Sequence, residues 1–302
     1  MSAKHEQESD VSPADGGDLR RRDFVALSVA TGVAATSLPA AAIPAGRPVV
    51  EKNVTINTPD GSCDAAYFHP AEGKHPAVIL WPDAFGLRPS MRDMGRRLAG
   101  EGYAVLVPNP FYRLGKGPFY ETAANVDFKD KATFAKIGPL MGSIGAAGAA
   151  EKDAVEFVKF LDAQPEVDKA RKIGTQGYCM GGALVLRTAA TVPARTGAGA
   201  SFHGGGLVTD KPDSPHLLAP KIKANLLIAI AGSDDAKQPD AKDKLRRAFD
   251  DAHVPARVEV FAEKHGWCVP DMPMDDGQPI YNQADAERAW GELLSLYKTV
   301  LG

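Results

Sequence analysis

The stretch Ile173-Gly174-Thr175-Gln176-Gly177-Tyr178-Cys179-Met180-Gly181-Gly182-Ala183-Leu184-Val185-Leu186 constrains the fold of this chain more than any other. It reads as a short strand, a tight turn and a helix, the turn having the form Gly-x-Cys-x-Gly. A turn this sharp holds its central residue in a strained backbone conformation. Its neighbours must be small because strand and helix close on each other, and Gly177 and Gly181 meet that need. The helix directs its first N–H groups toward Cys179, which favours the thiolate over the thiol. The competing reading is a buried structural cysteine, a common fate of that residue. The rest of the chain decides between them.

With 302 residues, 44% hydrophobic and 24% charged, the chain is long enough for one large α/β core. A formal net charge of −3 and scattered lysines and arginines exclude an electrostatic footprint for nucleic acid. The one basic cluster, Arg20-Arg21-Arg22, follows a polar, acidic stretch and precedes the apolar run Val25 to Leu38, which ends in Pro39-Ala40-Ala41-Ala42-Ile43-Pro44-Ala45. The arginine pair, the modest apolar region and the Ala-x-Ala end resemble a twin-arginine export signal. The run is shorter than the ~20 residues a membrane span needs, and no later segment is long enough. Residues 1–45 are therefore expected to be an export signal and flexible N-terminus, and residues 46–302 a single domain, periplasmic or secreted, with no stable membrane span. Removal of residues 1–42 takes away four basic and six acidic residues and leaves 31 against 32. A monomer is expected. Cys63, Cys179 and Cys268 are an odd number for an oxidising compartment, so at most one disulfide forms, with Cys63 and Cys268 as the expected pair.

Val49 to Thr58 and Asp64 to His69 alternate apolar and polar residues around Pro59-Asp60-Gly61-Ser62, the pattern of an antiparallel hairpin. Pro76 to Trp81 and Tyr103 to Pro108 are continuous apolar runs, as expected of strands buried on both faces. Between them, Ser90-x-x-Asp93 reads as a capping box opening a helix that runs to about Gly100. Residues 114–143 read as irregular and as a cover over the site, and a helix follows from Ala146 to Pro165. Beyond the Cys179 turn, Gly199 to His203, Ala224 to Ala231 and Arg257 to Phe261 read as strands, with helices over Asp240 to Ala252 and Ala284 to Val300. Such a succession builds a mainly parallel sheet with helices on both faces, whose ligands bind outside the strand C-termini.

Three polar groups close three successive strands: Cys179, Asp234 and His265. In this order they read as nucleophile, acid and histidine. His265 would move protons, Asp234 would fix its tautomer, and Cys179 would attack a carbonyl carbon and carry the acyl group as a thioester. Asp235 is an adjacent alternative acid, and His203, which also ends a strand, an alternative base. His265 and Cys268 have no companion pair at zinc-site spacing, so neither a metal nor a cofactor is expected.

Pro82-Asp83-Ala84-Phe85-Gly86-Leu87, Pro108-Asn109-Pro110-Phe111-Tyr112-Arg113, Gly177-Tyr178-Cys179-Met180-Gly181-Gly182, Gly232-Ser233-Asp234 and His265-Gly266-Trp267 together resemble the dienelactone hydrolase family over about residues 49–302. The resemblance implies an α/β-hydrolase fold with a Cys179, His265 and Asp234 triad. It also implies an oxyanion hole from the N–H groups of Met180 and Ala84, and hydrolysis of a small ester or lactone through an acyl-enzyme, with carboxymethylenebutenolidase as the family's named activity. It places Asp83 where the family holds the nucleophile's proton with a glutamate, and Arg113 where it binds a substrate carboxylate; a second arginine of that clamp is replaced by Val269. Two rival readings stand beside this one: a catalytically weak member that binds an acidic small molecule, and a redox-responsive thiol protein.

Overall fold

A computed structural model describes residues 46–302. The expected export signal lies outside the described residues. Strands β1 (Val49–Thr58) and β2 (Gly61–Pro70) pair antiparallel in register from Val49 opposite Pro70 to Thr58 opposite Gly61, as their alternating pattern requires. The apolar runs become β3 (Ala77–Trp81) and β4 (Ala104–Pro108), both buried at every residue. Within β3 the side chains alternate between two apolar clusters. Val78 and Leu80 enter the one on one face of the sheet, Ile79 and Trp81 the one on the other.

Helix α1 (Pro89–Gly100) lies between β3 and β4 and buries Met91, Met94 and Leu98. Its start differs from the expected capping box. Pro89 takes the first helical position, Arg88 stands at the N-cap, and no side chain caps the helix. The segment expected to be irregular contains α2 (Lys131–Gly145), opened by Asp130, whose carboxylate accepts from the Ala132 N–H at 2.9 Å. After α3 (Ala149–Ala163) come β5 (Ile173–Tyr178) and α4 (Met180–Thr191). The chain continues through β6 (Thr196–Phe202), a 3-10 turn (Pro215–Lys221), β7 (Asn225–Ala231), the short α5 (Gly232–Lys237), α6 (Ala241–Asp251) and β8 (Ala256–Phe261). A two-stranded ribbon of β9 (Met274–Asp275) and β10 (Gln278–Pro279) precedes the final α7 (Gln283–Leu301).

The first eight strands form one sheet in the order β1-β2-β4-β3-β5-β6-β7-β8, antiparallel from β1 to β4 and parallel from there on. Apolar residues of α1 and α7 cover one face, those of α2, α3, α4 and α6 the other. This is the α/β-hydrolase arrangement. Among the described residues no helix is long and apolar enough to cross a membrane.

Cys63 and Cys268 are thiols and do not form the expected bridge. They belong to the clusters on opposite faces of the sheet, and Cys63 sits 3.5 Å from the Asn109 carbonyl oxygen. Burial, with the Asp153 and Asp64 charges adding to it, pushes the Cys63 thiol far up from its ordinary value.

β5 and α4 meet at the centre of the sheet with no room for a side chain. A Cβ on Gly177 would lie 2.2 Å from the Gly181 carbonyl oxygen, and one on Gly181 would lie 2.5 Å from that of Trp81. All of these are backbone atoms that cannot swing away. Gly177→Ala is therefore expected to cost roughly 3 kcal/mol or more, measured by urea unfolding at neutral pH. A variant as stable as the parent would show that strand and helix can part.

Candidate active site

Cys179 occupies the residue between β5 and α4 with φ 52° and ψ −117°, a conformation that side chains rarely adopt. Three backbone bonds hold it there. Its N–H donates to the Phe202 carbonyl at 3.1 Å, and its own carbonyl accepts from Gly182 at 3.0 Å and from Gly205 at 3.1 Å. Met180 opens α4, so its N–H has no acceptor within the helix. Gly181 packs on the Trp81 and Pro82 carbonyls, which brings the loop after β3 beside the cysteine. In that loop Asp83 folds a turn: its carboxylate accepts from the Phe85 N–H at 2.9 Å and its carbonyl from the Gly86 N–H at 3.0 Å. The Ala84 N–H lies between these two and donates to none of the described residues.

His265 stands in the loop after β8, and Asp234 in α5 after β7. Nδ1 of His265 lies 2.6 Å from Oδ2 of Asp234, and the His265 N–H donates to the Ser233 hydroxyl at 2.9 Å. One short helix therefore holds both the ring and the backbone of His265. Burial disfavours its charged form, but the neighbouring Cys179 and the hydrogen bond and charge of Asp234 together raise its pKa to about 10. Asp235, the alternative acid, is held by Lys242 at 2.7 Å instead.

His203, the alternative base, is buried behind His265. Its ring meets that of His265 edge to face at 4.8 Å between centroids, and its Nδ1 shares a 3.4 Å hydrogen bond with the Cys268 sulfur. Burial, with the His265 charge adding to it, pushes the His203 pKa well below the usual histidine value and keeps the ring neutral. Among the described residues it has no carboxylate partner to stabilise an imidazolium.

Asp83 and Arg113 are not placed alike. Asp83 lines the cavity above Cys179, yet both its oxygens are taken by the fully buried Arg88, at 2.7 Å and 3.0 Å. The same guanidinium grips Asp271 at 2.7 Å and 2.8 Å, and Asp271 accepts in turn from the Ala123 N–H at 3.0 Å. Burial raises the Asp271 carboxyl, but the Arg88 hydrogen bonds and charge outweigh it and hold it below the ordinary value. Arg113 is absent from the cavity wall. It donates to Asp153 at 2.7 Å and 2.9 Å and to Asp60 at 2.9 Å and 3.1 Å, and it stacks over the Tyr112 ring. Val269 is buried in the core beneath the histidine loop.

The cavity holds about 580 Å³ and is bounded by Cys179 and His265 below, by Phe85 beside them, and by Phe128, Phe134, Ile137 and Met141 from α2 and the loop before it. Met272 and Ile280 also line it. Sequence reasoning missed Arg88, Asp271 and this apolar wall. The signal for Arg88 was a cation at the start of a helix, where the backbone dipole disfavours one unless carboxylates hold it. Among the described residues no group of three or more His, Cys, Asp or Glu side chains is arranged to hold a metal ion.

The profile of the dienelactone hydrolase family matches residues 63–301. The chain belongs to that family. A family member from Methylorubrum extorquens named "Putative carboxymethylenebutenolidase" is 28% identical over 93% of both chains, and one of the same name from Escherichia coli K12 is 26% identical over 76% of this chain and 78% of its own. Among solved structures, one described as m3DLH shares 25% identity and a TM-score of 0.69 over 84% of this chain and 99% of its own. A dienelactone hydrolase-like promiscuous phosphotriesterase from metagenomic libraries shares the fold, with 24% identity and a TM-score of 0.68 over 84% of this chain and 99% of its own. The family is one of hydrolases, and the β3 loop, the Cys179 turn and the histidine loop all lie within the matched residues.

Arg88 ties the β3 loop to the histidine loop, so its removal tests both at once. Arg88→Met leaves two carboxylates without their cation and is expected to cost about 3–5 kcal/mol at pH 7. The sign of the pH dependence follows from Asp271. With its folded value depressed, its contribution is present above the unfolded value of about 4 and is lost as pH falls through the folded one. The deficit of the variant, measured by urea unfolding at pH 7 and pH 3, should therefore shrink on acidification.

Proposed function

We propose that this protein hydrolyses an ester or lactone through a Cys179 thioester, with His265 as acid and base and Asp234 as its orienting carboxylate. The observation that carries the reading is the 2.6 Å contact between His265 and Asp234, in a cavity whose wall also holds Cys179. The Cys179 sulfur attacks the carbonyl carbon, and the N–H groups of Met180 and Ala84 receive the charge that develops on the carbonyl oxygen. The His265 imidazolium then gives its proton to the leaving oxygen. In the second half the neutral imidazole takes a proton from water as it attacks the thioester and keeps it while the sulfur departs as thiolate, which restores the starting pair. Relatives carrying the name carboxymethylenebutenolidase support a lactone or ester carbonyl as the target.

Asp83 enters this scheme as an anchor of the β3 loop, since Arg88 already fills its oxygens. The N-terminal Arg21-Arg22-Asp23-Phe24 sequence and the apolar run after it support action outside the cytoplasm, after twin-arginine export.

Cys179→Ala should lower kcat/KM for a p-nitrophenyl ester by about 10⁴-fold or more while the thermal midpoint stays close to that of the parent. Turnover retained by the variant would rule out the thioester. The pH profile carries a second test. Because the His265 proton is held up to about 10, kcat/KM should persist to about pH 9 and fall through a group near 10. A decline beginning near 6.5 would mean that Cys179 and Asp234 do not hold the imidazolium.

A further inference from the structure

We propose, resting on the hydrolase reading above, that the substrate is a neutral ester or lactone bearing an extended apolar arm, an alkyl or aryl chain seated under α2. The space over Cys179, about 580 Å³, is of the size that takes an entire drug-sized ligand, and a compact lactone would leave most of its wall untouched. That wall is built by three separate segments: Phe85 from the β3 loop, Phe134 and Ile137 from α2, and Met272 and Ile280 from the chain after His265. Phe134 is 57% exposed and Met141 40% exposed. Apolar side chains left open around the mouth of a cavity mark a surface that an apolar ligand covers.

The charges around the cavity are matched among themselves. Arg88 holds Asp83, His265 holds Asp234, and Lys264 donates to Asp275 at 2.7 Å. Among the described residues, Lys237 is the one lining cation without a close partner. It stands 3.9 Å from Asp234 with 76% of its side chain in water, where an added anion gains little. Among the described residues no arginine lines the cavity, and Arg113 is committed to Asp60 and Asp153. A carboxylate on an arm seated against Phe85, Phe134, Ile137 and Met272 would lose its water with no cation in that part of the wall to replace it.

The experiment measures kcat/KM of residues 46–302 in two series. One is p-nitrophenyl esters from acetate to octanoate, the other acetate esters from ethyl to hexyl. Each methylene that enters the apolar wall adds up to about fourfold. At least one series should therefore rise by about tenfold or more from its shortest member to its six-carbon member. The mono-p-nitrophenyl ester of adipic acid, which ends in a carboxylate, should be cleaved about tenfold less efficiently than the hexanoate, or worse. Phe134→Ser should lower the ratio of hexanoate to acetate activity, and because Phe134 is largely exposed the variant should fold. Acetate turnover with both series flat, or a preference for the adipate ester, overturns this inference and leaves the hydrolase reading standing. Turnover of none of these esters by protein with an intact Cys179 overturns both.

Discussion

Everything at the active site depends on a backbone contact with no side chain in it. Gly177 on β5 and Gly181 on α4 lie so close that the carbonyl of one occupies the place of a Cβ on the other. The same approach sets Gly181 against the carbonyls of Trp81 and Pro82. Cys179 and the loop carrying Ala84 are thus registered by main-chain packing, which tolerates less drift than side-chain packing does. The φ of 52° at Cys179 is the local cost of that arrangement, and three backbone hydrogen bonds hold it in place.

A second junction works by charge. Arg88 is buried without exposure and spans Asp83 and Asp271, and so joins the β3 loop to the chain after His265 and, through Ala123, to the segment leading into α2. A buried guanidinium with two carboxylates makes little net gain over an apolar cluster of the same size, but it imposes direction, since the bidentate fork admits one geometry. The β3 loop, the histidine loop and the cover over the site are thereby set relative to one another by one side chain.

The parts of this design legible in the sequence are those whose signal is local. β3 and β4 read as buried strands because helices cover both faces of the sheet and each run is apolar throughout. The Cys179 turn reads from its two glycines. α2 does not read, because Gly138, Pro139, Gly142 and Gly145 are poor helix formers and the helix exists through the cluster that Leu140 and Ile144 join. Arg88 and Asp271 are 183 residues apart, a separation at which no spacing rule operates. The fate of Arg113 was equally hidden, since the carboxylate that claims it, Asp153, looks like any other acidic residue on a helix.

The cover over Cys179 has a thermodynamic side. Ile137 packs with Ala84, Phe85 and Ala123 in a small apolar cluster that Cys179 and Met272 also touch, while Phe134 and Met141 of the same helix face the cavity. For α2, an apolar guest and a packing partner are physically the same thing. Occupancy and folding are therefore linked: a compound that fills this space adds to the free energy of the native state by an amount set by its concentration over its dissociation constant. The melting temperature of this protein becomes a titratable reading of what lies over its cysteine.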